Sequence, residues 1–192
     1  QQVHDLDFTT SATPDQIEAL VSPLADATWD VGRAFGTIAA RFGEHTIEIT
    51  TYRADSYDGQ SRKPTVEFGD NLDDDLVRRD FTVNAMAVRV PGVVLVDPHG
   101  GLHDLTEGIL RTPSSPEVSF ADDPLRMMRA CRFVAQLGMS LEADTAAALQ
   151  SMVGKIADIS AERVREEFVR MVSLDAPRPG IEVFVDSGLA AA

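Results

Sequence analysis

The chain has 192 residues and a formal net charge of −14, which argues against indiscriminate nucleic-acid binding but leaves room for a local basic groove. Its apolar content, 44%, suits one ordinary domain or two small ones with a real core. The single cysteine, Cys131, excludes a disulfide framework and a cysteine zinc site and fits a reducing cytoplasm. No run of roughly 18 apolar residues is present to cross a membrane.

The first stretch of note is Asp5-Leu6-Asp7. In an extended strand alternate side chains share a face, so Asp5 and Asp7 project together. Like charges that close repel unless a cation sits between them, and hard carboxylate oxygens suit Mg²⁺. The competing reading is a chance Asp-x-Asp in an acidic chain. Thr13-Pro14-Asp15 predicts a helix start with Thr13 as N-cap, and Ile17, Leu20, Val21 and Leu24 follow at helical spacing. Short strands are expected over residues 28–31 and 37–39. A clearer strand runs over Thr46–Tyr52, where Glu48 is in phase with Thr46 and Thr50. Glu48 is then either a third carboxylate beside the pair or an outward glutamate. Residues 53–69 are polar and read as a mobile loop, and a helix is expected from about Leu72.

Arg78-Arg79-Asp80-Phe81-Thr82-Val83-Asn84 precedes a small apolar run expected to be helical. Its arginines are suited to a triphosphate or to the upstream aspartates, and Asp80 and Asn84 have the chemistry for a ribose hydroxyl. Residues 93–98 read as a strand and turn, with His99 and His103 in a structural turn role. From Ser114 the composition turns helical: a run after the Ser119–Pro124 caps to about Leu137, then residues 141–152, 160–172 and 180 onward. A division is therefore expected between a mixed part, 1–113, and an all-α part, 114–192. Both ends look cut, so a piece of a longer protein is expected.

Asp123, Arg126, Arg129 and Arg132 recur every three residues on the first of these helices. Such a stripe is commonly a solvated face with salt bridges; here three cations follow one carboxylate, which favours an anion. Asp123 only accepts hydrogen bonds and Arg126 only donates. Together they complement a base edge that sets an amino donor beside a ring-nitrogen acceptor. Cytosine and adenine present that edge; guanine and uracil do not, and unpaired buried polar groups make the rejection strong.

Asp5-Leu-Asp7-Phe-Thr-Thr, Ile47-Glu48-Ile-Thr-Thr-Tyr52-Arg53, Arg78-Arg79-Asp80-Phe-Thr-Val-Asn84-Ala, Val96-Asp97-Pro98 with Gly101, Asp123-Pro-Leu-Arg126-Met-Met-Arg129-Ala-Cys-Arg132-Phe and Glu162-Arg163-Val-Arg165-Glu-Glu167 together resemble, in order, the bacterial class II tRNA nucleotidyltransferases. These comprise the CCA-adding enzymes and the related poly(A) polymerases. The resemblance implies an α+β fold: a polymerase-β-like nucleotidyltransferase head, a small mixed sheet with helices, followed by an all-α neck. It implies Asp5 and Asp7 as Mg²⁺ ligands with Glu48 as a third carboxylate. Arg79 would bind the incoming nucleotide, with Asp80 and Asn84 near its sugar. Asp123 and Arg126 would read the base, and Arg129 and Arg132 would complete the nucleotide site. The loop after Arg53 matches one tied to switching between C and A addition. The implied partners are CTP, ATP and the tRNA 3′ end, in the cytoplasm. The family's Gly-Gly-x-Val-Arg-Asp segment before the Asp pair has no counterpart here, and its usual Glu before Asp123 is Asp122. Rival readings are a poly(A) polymerase and a non-catalytic RNA- or nucleotide-binding module.

Overall fold

A computed structural model describes residues 6–56 and 65–192. They form two compact units, Gln1–Asp75 and Leu76–Ala192.

The first unit is built on a sheet of order β1-β4-β3-β2. Its strands are β1 (Leu6–Thr10), β2 (Ala27–Gly32), β3 (Thr37–Phe42) and β4 (His45–Thr51). β1 runs parallel to β4, whereas β3 is antiparallel to both β4 and β2. Helix α1 (Pro14–Val21) starts as expected. Thr13 Oγ1 accepts from Gln16 N, Gln16 Oε1 accepts from Thr13 N, and Pro14 fills the first position, so the orphan donors of the first turn are met. α1 packs against β3 and β4 and buries Ile17. The expected loop over residues 53–69 is in part a hairpin. β5 (Arg53–Ser56) pairs antiparallel with β6 (Thr65–Phe68), and residues 57–64 lie outside the described residues. The pairing satisfies backbone groups that a polar loop would leave to water.

Helix α2 (Leu72–Val77) spans the division. In the second unit the small run after Asn84 is not helical. A single 3₁₀ turn, Thr82–Asn84, leads into β7 (Ala87–Arg89), which pairs with β8 (Val94–Val96). The turn is held by Thr82 N donating to Arg111 O and by Thr82 Oγ1 donating to the buried Asp104 at 2.7 Å. Tertiary bonds thus override a weak local helical preference. Helix α3 (Gly101–Glu107) is capped by Asp97, whose two carboxylate oxygens accept from the Gly101 and Leu102 amides. His99 lies in the turn before α3 as expected, whereas His103 is exposed on α3 itself.

Strand β9 (Ile109–Leu110) precedes helices α4 (Pro116–Asp122) and α5 (Leu125–Leu137). The cap of α4 is Ser115, so the expected cap segment 119–124 is itself mostly helical. The break is at Asp123, extended at φ −142° and ψ 96°, because a residue before proline avoids the helical region. Strand β10 (Ser140–Leu141) pairs parallel with β9, so the later part is not purely helical. Gly138, at φ 67°, makes the turn that brings the chain back. Helices α6 (Ala143–Met152), α7 (Ala161–Val172) and α8 (Arg178–Asp186) follow. Ser160 sits at the N-cap of α7, but its side chain makes no capping bond.

The core of this unit centres on α5, with Leu125, Met127, Met128 and Val134 buried; Leu137, at the end of the helix, is 44% exposed. Phe81 and Leu110 join the same cluster as Phe120 and Met171. For this reason the packing division falls at residue 75, upstream of the compositional one at 113. Gly180 on α8 lies so close to α5 that a Cβ there would sit 2.4 Å from Cys131 O. Gly180→Ala is expected to destabilise the unit by about 3 kcal/mol, read as a lower urea midpoint. An unchanged midpoint would refute this close approach. Burial also pushes the Cys131 thiol up to about 12, leaving it an inert core group.

Glu142 caps α6, accepting from Thr145 N at 2.9 Å and Thr145 Oγ1 at 3.0 Å. Burial alone would raise its carboxyl. The Thr145 donations, with the Asp144 amide and Arg111, outweigh that and hold it below the usual glutamate range. A carboxyl depressed on folding stabilises most above its unfolded value and loses that contribution as pH falls through the folded one. Glu142→Ala is thus expected to cost about 1 kcal/mol at neutral pH. In thermal melts the gap to wild type should close under acid conditions; a gap that widens there would contradict the cap.

Candidate active site

The register of β1 on β4 aligns Asp7 with Glu48. Neighbours in register share a face, so the two carboxylates emerge side by side with Thr9, Thr46 and Thr50, while Leu6 and Phe8 match Ile47 and Ile49 on the other. Asp7 and Glu48 are both exposed and line an open groove of about 290 Å³ with Leu6 and Thr46. Among the described residues no three acidic, histidine or cysteine side chains gather as a metal site. Asp5, the expected partner of Asp7, lies outside the described residues. Ionised carboxylates only accept, and the paired Asp7 and Glu48 oxygens suit a hard divalent cation.

In the second unit, Asp123 closes the gap between α4 and α5. Its Oδ1 accepts from Leu125 N at 3.1 Å, and its Oδ2 lies 3.6 Å from the Arg163 guanidinium of α7. Arg126 is half-buried and reaches back, with Nη1 donating to Ser119 Oγ at 2.8 Å and Nη2 donating to Arg78 O. Arg129 donates from Nε to Asp80 Oδ2 at 2.8 Å. Asp80 also accepts from Phe81 N and from Asn84 Nδ2, so its carboxylate is engaged within the protein and Asn84 is the exposed member. Arg79 is half-buried, its amide donating to Leu76 O.

The stripe of arginines therefore splits. Each step of three residues turns about 60° back around the helix, so Arg126 and Arg129 meet the 78–84 segment whereas Arg132 faces α7. It donates to Glu167 of α7 at 2.7 Å and, within α5, to Gln136 at 2.6 Å, and stacks 4.2 Å above the Phe133 ring. Its anion is supplied by the chain itself. Sequence reasoning gave neither Glu167 nor Ser119 a role of its own: Glu167 entered only within the Glu162–Glu167 motif and Ser119 only as part of a cap segment, because a buried serine carries no periodic signal.

The small mixed sheet with acids aligned on a parallel strand pair, followed by helices, defines a nucleotidyltransferase head of the polymerase-β-like class. The model of the poly A polymerase head domain matches residues 1–111, and that of the probable RNA and SrmB-binding site of polymerase A matches residues 138–192. The chain belongs to the poly A polymerase head domain family, and the resemblance drawn from its motifs is borne out. It is 41% identical to the CCA-adding enzyme of Lactobacillus helveticus over 99% of this chain and 47% of that protein. The CCA-adding enzyme of Bacillus subtilis is 38% identical over 97% of this chain and 46% of its own length. Among solved structures, the Bacillus stearothermophilus CCA-adding enzyme in complex with CTP superimposes with a TM-score of 0.87 at 34% identity, over 98% of this chain and 45% of that one. A tRNA nucleotidyltransferase complexed with a primer tRNA and an incoming ATP analogue gives a TM-score of 0.79 at 28% identity, over 97% of this chain and 53% of that one. The chain thus spans about half the length of the curated relatives it matches. No helix among the described residues is long and apolar enough to cross a membrane.

Proposed function

We propose that this chain supplies the head and neck, residues 1–113 and 114–192, of a cytoplasmic enzyme that adds C and A to the 3′ end of tRNA. CTP and ATP are the donors and pyrophosphate is released. The observation that carries this reading is the alignment of Asp7 with Glu48 on one face of a parallel strand pair, in a chain similar along its length to CCA-adding enzymes. Asp5, Asp7 and Glu48 would hold Mg²⁺. When bound, the metal supplies activation of the RNA 3′-hydroxyl and neutralisation of charge on the leaving pyrophosphate.

The chain's own groups do the rest. Arg79 holds the triphosphate, and Asn84, anchored on Asp80, offers a sugar contact. Asp123 accepts from the amino group of cytosine or adenine while Arg126 donates to the adjacent ring nitrogen. Arg129 stays on Asp80 and keeps the 78–84 segment in place. Arg132, buried against α7, supports the nucleotide site from behind the helix.

The test is incorporation by the full-length gene product on a tRNA lacking its CCA end, with each labelled nucleotide in turn. Uptake of C, then A, with G and U refused, is expected; Asp123→Ala should raise G and U uptake about tenfold or more relative to C. An unchanged preference in that variant would refute the base-reading role. The head model's description as a poly A polymerase domain favours a second reading, which long A tracts made without CTP would establish.

A further inference from the structure

We propose that Ser119 is a positioning residue for base selection, holding both members of the Asp123–Arg126 pair; this rests on the base-reading role given to that pair above. Ser119 lies on α4 with none of its surface exposed. Its hydroxyl oxygen accepts from Arg126 Nη1 at 2.8 Å. Its backbone carbonyl accepts from the same Nη1 at 3.3 Å and from Asp123 N at 3.2 Å. One residue on α4 therefore ties down the acceptor and the donor of the reading pair across the Asp123-Pro124 break.

A guanidinium carries five N–H donors. The two bonds to Ser119 occupy Nη1, and Arg78 O takes one donor of Nη2. The Nε–H and the second Nη2–H have no protein acceptor among the described residues. Those two donors are what remains for a base edge. Arginine is a rotamer-rich side chain, and fixing it before the nucleotide arrives removes an ordering cost from binding. Without the Ser119 hydroxyl, Nη1 loses its short bond and keeps only the longer one to the Ser119 carbonyl, so the plane of the fork is set by that contact and Arg78 O. A fork free to tilt can meet the carbonyl of uracil or guanine as readily as the ring nitrogen of cytosine. A serine placed there merely to fill a helix would need no such partner, and a buried hydroxyl is costly unless it is bonded.

The experiment uses the full-length gene product and a tRNA lacking its CCA end. Ser119→Ala and Ser119→Cys are compared with wild type and with Arg126→Ala. Cysteine keeps the shape but offers only a weak sulfur acceptor. In both Ser119 variants the CTP-over-UTP ratio of kcat/KM is expected to fall about tenfold, as the loss of one charge-assisted hydrogen bond allows. The loss should fall on KM for CTP, and titration of CTP and UTP without primer should show the same narrowing. Should S119A fail to fold, S119C carries the same expectation. Folded Ser119 variants that discriminate as wild type does, while Arg126→Ala loses discrimination, would overturn the inference alone. Unchanged discrimination in Arg126→Ala would overturn the base-reading role and the inference together.

Discussion

Asp7→Asn is expected to lower nucleotide incorporation roughly a thousandfold, about 4 kcal/mol of transition-state stabilisation, with the fold unchanged. The substitution keeps the size of the side chain and removes only its charge. Asp7 is exposed on β1 beside Glu48 of β4, so nothing in the core depends on it. Two acids in register also repel one another in the absence of a cation. The variant's melting temperature should therefore match wild type or rise slightly. Glu48→Gln should cost less, because Glu48 stands one strand away from the Asp5–Asp7 segment. Single-turnover assays on primer tRNA would separate the effects. Incorporation by Asp7→Asn at the wild-type rate would remove the carboxylate face from the chemistry.

The largest expected effect on stability lies at Glu167. The side chains of Arg132 and Glu167 are only 11% and 5% exposed, and Arg170 leans on the second Glu167 oxygen at 3.4 Å. Glu167→Ala leaves the Arg132 guanidinium buried with Gln136 and the Phe133 ring as its remaining partners. Breaking a buried pair by removing one member costs about 3–5 kcal/mol, a large part of the roughly 5–15 kcal/mol that a domain commands. Replacing both, as Arg132→Met with Glu167→Leu, should recover most of the loss, because the penalty comes from the orphaned charge. Urea unfolding of the single and double variants decides this. A single variant as stable as wild type would mean that α5 and α7 are held together without the pair.

Much of the carboxylate face was legible because strand alternation is a strict rule. Asp7 and Glu48 each sit in a stretch whose phase can be counted, and the register then placed them side by side. The start of α1 was legible for a similar reason, with cap, proline and capping glutamine all local. The helical stripe was only half legible. Spacing placed Arg126, Arg129 and Arg132 on one side of a helix, but which of them met an intrachain carboxylate depended on Asp80 and Glu167, dozens of residues away. The two-residue pairing of β9 with β10 lies below any periodic signal, and it forms because Gly138 turns the chain back onto Gly108 and Leu110. Phe81 and Leu110 belong to the core around α5 through tertiary contact, which a change of composition at residue 113 does not register.

Crystals of the full-length gene product grown with Mn²⁺ and CTP would test the central claim most directly, through the anomalous signal of the metal. The expected map has a peak about 2.1 Å from an Asp7 carboxylate oxygen, in the groove shared with Glu48. A metal bound to the nucleotide with Asp7 turned away, or no peak in that groove, would contradict it.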